Sequence, residues 1–254
     1  MKRRGFFILL GLFLICYLLL AGFSSYPTVT ERDRFYLSAF YKKWGIEPNA
    51  DSIHLDLNNE LRFIRSIQGF VFSSLIGNNY PIPKDSVGSV EYYYKKGQGA
   101  CYDRAILMEK ILAEEGFKTR HIYAYFRRDS STTHTLDLVK KRLFSHALLE
   151  VKTKNGWLVV DTGKQWMGLD EAGSIMSMEE ARAQLKKTNR SSAKEFGLLS
   201  QLTSIPGNLK FVYGLYSRNG HFLKPSRLEM LFSALGLAVH PPDYNLSTLL
   251  DNII

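Results

Sequence analysis

Between Gly97 and Gly116 the chain reads GQGACYDRAILMEKILAEEG. A glycine-flanked opening leads into a run of helix-forming residues, and a glycine stands where the run must stop. Ala105, Met108, Ile111 and Leu112 recur at the spacing of one helical face. The pattern predicts a helix over 101–115 whose first residue is Cys101. Downstream, Phe144–Lys152 and Trp157–Thr162 read as two strands around Asn155-Gly156, the strongest short signal for a β-hairpin. Thr119–Tyr125 alternates weakly and reads as a further strand. A helix that must bury one stripe and strands that must bury one face imply an α+β fold, with the Cys101 helix packed on an antiparallel sheet.

That helix and that hairpin carry three residues of matching chemistry. A thiol at a helix N-terminus meets free N–H groups and the positive end of the helix dipole, both of which favour thiolate. His146 lies on the first hairpin strand and Asp161 on the second. Together they are the parts of an activated nucleophile: a thiol, a base to take its proton, and an acid to orient the base. His146 and Asp161 fall on the same sheet face by parity. A two-residue Asn155-Gly156 turn, however, sets Glu150 opposite Asp161 and Gln165 opposite His146. A wider loop, Lys152–Asn155, or a bulge is therefore expected, to bring them face to face. Gly97-Gln98-Gly99 lets backbone approach a substrate closely. The Cys101 N–H, with a group just upstream, can form an oxyanion hole. Gln98 is the candidate for that group, with Tyr92 to Tyr94 as alternatives. Asp103 works against thiolate but suits the first helical turn. His54, His121, His134, His221 and His240 lack such a context and read as surface or structural. Trp157 and Trp166 read as packing residues.

The remaining composition bounds partners and compartment. The formal charge is +9, of which Lys2, Arg3 and Arg4 supply three, leaving six for the rest of the chain. A modest positive excess suits a domain near anionic lipid or an anionic polymer. Basic tracts with interleaved aromatics, zinc-type Cys/His spacing and a phosphate-binding glycine loop are all missing from the sequence. The expectation is therefore no nucleic-acid partner, no metal and no cofactor. Phe6–Phe23 carries no charge and is long enough to span a bilayer, and it follows basic residues. It is expected to be an N-terminal transmembrane anchor, single-pass with its N-terminus cytoplasmic. The domain then lies on the periplasmic or extracellular side. Gly22 and Ser24 would suit cleavage, but the long apolar run favours retention. Of the two cysteines, Cys16 falls inside that run, so Cys101 is the lone thiol of the folded part. A lone thiol in an oxidising compartment is a hazard unless it has a use.

Further signals fill in the chain. A helix is expected over Thr30–Trp44, capped by Thr30 with Asp33. Its apolar face is Phe35, Leu37, Phe40, Tyr41 and Trp44, and it ends at Gly45 and Pro48. A second runs from Leu57 to Leu75, with Leu57, Leu61, Ile64, Phe70 and Val71 inward. A short helix from Ser86 or Ser89 carries Tyr92–Tyr94 to Gly97. Arg127–Arg142 is a polar loop. Ser177-Met178-Glu179-Glu180 is a capping box that opens a helix through Lys187, and Lys186–Lys194 is polar. Phe211–Tyr216 reads as a strand before a turn at Arg218–Gly220. Pro225 opens a helix to about Leu235, and Pro241-Pro242 begins a tail.

Gly99, Cys101, Ala105, Leu107 and Leu112, then Gly116, Phe117 and Arg120, then His146, Ala147, Trp157 and Asp161 resemble the transglutaminase-like superfamily of papain-type folds. The resemblance covers residues 57–166. The chain is thus expected to divide into a membrane anchor (1–25), a helical linker (26–56), the core that carries the resemblance (57–166) and a C-terminal extension of unassigned role (167–254). The resemblance implies a Cys101–His146–Asp161 triad working as a cysteine peptidase, amidase or acyltransferase on peptide or amide bonds; the expected location outside the cytoplasm makes an envelope protein or wall polymer the expected substrate. Tyr102 stands where crosslinking members usually carry Trp, Leu148 follows Ala147 where many carry Trp, and a calcium-binding acidic loop is not evident. The alternative is a non-catalytic envelope scaffold that uses the same fold for binding in wall or polysaccharide assembly.

Overall fold

The computed structural model describes residues 28–48, 50–77, 82–126, 144–187, 209–214, 216–218 and 221–222. The expected anchor at 6–23, Cys16, the polar loop 127–142, most of the polar run to 194, the helix from Pro225 and the Pro241-Pro242 tail lie outside these residues. Among the described residues no helix is long and apolar enough to cross a membrane.

The helices are α1 (Glu31–Trp44), α2 (Ala50–Ile53), α3 (Leu57–Ser74), α4 (Val90–Lys96) and α5 (Cys101–Glu114), with a 3-10 turn at Lys84–Ser86. The strands β1 (Lys118–Phe126), β2 (Phe144–Thr153) and β3 (Gly156–Asp161) follow. After them come α6 (Met178–Lys187), β4 (Leu209–Tyr213) and the short pair β5 (Ser217–Arg218) and β6 (His221–Phe222). The main sheet is antiparallel throughout, in the order β3-β2-β1-β4. Alternation divides it cleanly. Ala147, Leu149, Val151, Leu158 and Val160 pack against α5 and the helices behind it. Ile122, Ala124, Leu148 and Val159 pack against Met178, Ala181 and Leu185 of α6. The fold is thus a sheet between two helical layers, and the chain beyond residue 166 supplies both α6 and β4.

Local signals set most element ends. Thr30 and Asp33 form the expected capping box on α1, and Gly45 closes it in the left-handed region. Ser89 caps α4, and Gly97 ends it at φ +60°, a conformation that favours glycine. Ser177 and Glu180 cap the start of α6 as expected. Two side-chain placements differ from expectation. Phe35 is 68% exposed. It lies about 200° around α1 from Leu37, so it cannot share the buried stripe of Leu37, Phe40 and Tyr41. The stripe expected on α5 is in fact a whole helix: Tyr102 through Leu112 are all buried. The sheet covers one side and α1, α3 and α4 cover the rest, so even Lys110 is drawn in. Its ammonium pairs with Asp33 at 2.9 Å and donates to Gly88 O at 2.9 Å.

Candidate active site

The hairpin decides where His146 and Asp161 meet. Thr153 pairs with Gly156, so the turn residues are Lys154-Asn155 and not Asn155-Gly156. Neither the expected wide loop nor a bulge forms. Glu150 faces Val159, and Asp161 faces Leu148, two residues along from His146. The shift of turn by one residue keeps parity, so His146 and Asp161 share a face and join diagonally. Diagonal neighbours on one face are within reach of a long side chain. His146 Nε2 lies 2.8 Å from Asp161 Oδ1, and both residues are buried. The same carboxylate oxygen accepts from Gly163 N at 2.6 Å and Lys164 N at 3.3 Å.

Cys101 comes to this pair from α5. Its helix is opened by Ala100, which has no side-chain acceptor, and Asp103 Oδ2 accepts from Ala100 N at 2.9 Å instead. The first-turn N–H groups are therefore left without a cap from Ala100. Gly99 must be glycine here: a Cβ would stand 2.8 Å from Asp103 Cβ and 3.1 Å from Leu75 Cδ1. Beyond Asp161 β3 has ended. Val159 N and Asp161 N donate away from β2, to Met176 O and Trp166 O. By alternation Ala147 therefore turns its N–H and C=O toward the side that β3 has vacated. The Thr162 hydroxyl donates to Ala147 O there, and Ala147 N–H donates to the Cys101 sulfur. The thiol thus lies at the open end of the ladder, against the His146 ring. Since Nε2 is held by Asp161, Nδ1 is the ring nitrogen left for sulfur.

Electrostatics follow from this arrangement. Burial pushes the Cys101 thiol up, but the His146 side chain and the N–H groups of Ala147 and Tyr102 outweigh it and hold the thiol below its ordinary value. Burial pushes His146 down, but Asp161 and Cys101 outweigh it and raise the imidazole to about 9. Both shifts favour a thiolate–imidazolium pair.

Gln98 is half-buried on the strand-like stretch before Cys101, where it bridges Ile76 in parallel. Of the alternatives to it, Tyr93 is ruled out as a donor to substrate. Its ring is fully buried and its hydroxyl donates to Asp103 Oδ1 at 2.9 Å. Tyr94 packs on Phe40, with ring centroids 5.1 Å apart. Asp103, held by Tyr93 and Ala100, braces the helix start. Among the described residues no group of His, Cys, Asp and Glu has the arrangement of a metal site.

Two supporting side chains carry no motif in the sequence. Gln68 Nε2 on α3 donates to Asp161 O, Lys164 O and Trp166 O, at 2.7, 3.1 and 2.7 Å. Arg104 on α5 donates to Leu75 O and Thr162 O. The one clue to Arg104 is a charged residue one turn after Cys101, on a helix whose neighbours are apolar. Trp157 packs as expected, with the Arg120 guanidinium 4.1 Å from its ring centroid.

A helix opened by a thiol and laid on an antiparallel sheet, with His and Asp on adjacent strands, is the core of a known class. Residues 50–162 match the family model of the transglutaminase-like superfamily. The solved structure of arylamine N-acetyltransferase (NAT) from Salmonella typhimurium is similar at 12% identity and a TM-score of 0.35. That likeness covers 88% of this chain and 98% of the other. No curated protein matches the sequence.

Proposed function

We propose that this protein is a cysteine hydrolase or acyltransferase acting on peptide or amide bonds through Cys101, His146 and Asp161. The observation that carries the reading is the 2.8 Å His146–Asp161 contact with the Cys101 sulfur against the same imidazole. The thiolate attacks the acyl carbon. The tetrahedral oxyanion is received by the Cys101 N–H at the start of α5, with the Gln98 side chain as second donor. The imidazolium gives its proton to the departing amine, and a thioester on Cys101 remains. Water or an acceptor amine then loses a proton to His146 as it attacks the thioester, and the sulfur leaves as thiolate. The site works outside the cytoplasm, on an envelope protein or wall polymer, with residues 6–23 as the membrane anchor. The apolar run of 6–23 and the lone thiol support that placement.

The test is iodoacetamide alkylation of Cys101 in the full chain against pH, beside His146→Ala. Alkylation that stays fast well below the ordinary thiol range, and loses this in the variant, is the expected result. Slow alkylation with an ordinary thiol profile in the parent would remove the basis for a nucleophile. Turnover of a model amide that survives Cys101→Ala would assign the chemistry elsewhere. For location, protease added to intact cells should digest the domain only if it faces outward.

A further inference from the structure

Arg104 lies one helical turn after Cys101 and is buried. Its Nε and Nη2 both donate to Leu75 O, at 3.1 and 2.7 Å, and Nη1 donates to Thr162 O at 3.2 Å. The Phe72 ring covers the guanidinium, 4.6 Å from its centroid. On another side Gly77 comes so close that a Cβ would stand 3.1 Å from Nη2. These contacts join the end of α3 to the segment that follows Asp161. Leu75 ends α3 and precedes Ile76, which bridges Gln98 just before the nucleophile. Thr162 follows Asp161, and its hydroxyl holds Ala147 O beside His146.

The charge matters as much as the fork. A guanidinium in water loses little by pairing with carbonyls, but a buried cation whose hydrogen bonds go to neutral main-chain oxygens is costly unless negative charge lies near. Here the near negative charges are Cys101, Asp161 and Asp103. The ionised triad is one thiolate, one imidazolium and one carboxylate, a net excess of one negative charge in a site where His146 and Asp161 are buried. Asp103 adds a second. A fixed cation in the same shell offsets that excess.

We propose that Arg104 is the positioning residue of this site, clamping the segments that carry Cys101 and Asp161 and supplying the positive charge that lets thiolate, imidazolium and carboxylate coexist. This rests on the reading of Cys101 as the nucleophile. Lysine at this place keeps the charge without the fork, and glutamine keeps donor N–H groups without the charge.

The experiment is the alkylation–pH profile of Cys101 in the full-length chain, in the parent, Arg104→Gln and Arg104→Lys, with melting curves to confirm folding. The expected result is a midpoint raised on the order of one pH unit in Arg104→Gln, the scale set by one nearby charge, and a midpoint close to the parent's in Arg104→Lys. Arg104→Met replaces Arg104→Gln should the latter fail to fold. A folded neutral variant with the parent's midpoint overturns the proposal, as do equal upward shifts in the neutral and lysine variants, which would mean geometry alone. A parent with an ordinary thiol profile overturns the nucleophile reading and this one with it. A low parent midpoint that ignores Arg104 overturns only this one.

Discussion

Among the described residues, two buried histidines each hold a carboxylate, and of these two His146 has a thiol beside it. His146 meets Asp161 at 2.8 Å, and His121 meets Glu109 at 2.6 Å. The second pair is the better enclosed. His121 lies between α5 and the sheet, stacked on Tyr216 with centroids 4.2 Å apart, and the Tyr216 hydroxyl donates to Glu109 Oε2 at 2.8 Å. Its Nε2 meets no partner among the described residues. His146 stands where a strand outlives its neighbour, so that its second ring nitrogen faces a sulfur. A histidine–carboxylate pair is thus a common way to build a core. It becomes chemistry where the sheet runs out and a helix N-terminus is brought to the gap.

The largest effect should separate the two pairs. Asp161→Asn should lower turnover by about 10⁴-fold, by analogy with the orienting acid of serine-protease triads. Glu109→Gln should leave the rate per folded molecule within a few fold. Steady-state kinetics on both variants checks this, and comparable losses would erase the distinction. Stability should rank them the other way. Replacing Glu109 leaves a fully buried imidazole without its hydrogen-bonding carboxylate, a change of about 1–3 kcal/mol, readable as a lower denaturant midpoint.

The pH profile sharpens the contrast further. His146 is raised to about 9, so the imidazolium persists to about that pH. Its stabilising contribution is complete below the ordinary histidine value and is lost as pH rises through about 9. The Cys101 contribution has the opposite sign: with the thiol held below its ordinary value, it is lost as pH falls through the lowered value. Turnover should therefore have an acid limb below the ordinary thiol range and an alkaline limb near 9. Glu109→Gln should keep both limbs, and Asp161→Asn should move the alkaline limb down. The smallest effect belongs to Tyr216→Phe, which removes one hydrogen bond to a buried carboxylate. It should cost about 1–3 kcal/mol in a thermal melt, with the pH profile unchanged.

Much of this site is legible in the amino-acid sequence. Cys101 at a helix start follows from GQGAC and the apolar spacing behind it, and the shared face of His146 and Asp161 follows from the period of a strand. These are local matters: caps, turns and periodicities depend on residues a few positions apart, and the chain carries them in any context. What the neighbours along the chain do not specify is which residues come together from far apart. The turn lies at Lys154-Asn155 and not at Asn155-Gly156, which makes the His146–Asp161 contact diagonal without a bulge. Gln68 lies 93 residues from the carbonyl it holds, and Arg104 lies 58 from Thr162. Tyr216 reaches Glu109 across 107. The buried circumference of α5 is of the same kind, since its far side is buried and Lys110 is paired only because α1, α3 and α4 close over it. Local sequence thus determined the elements and the identity of the reacting groups. Tertiary packing decided the register, the bracing and the charge around them, because each depends on contacts that exist only when the whole core has formed.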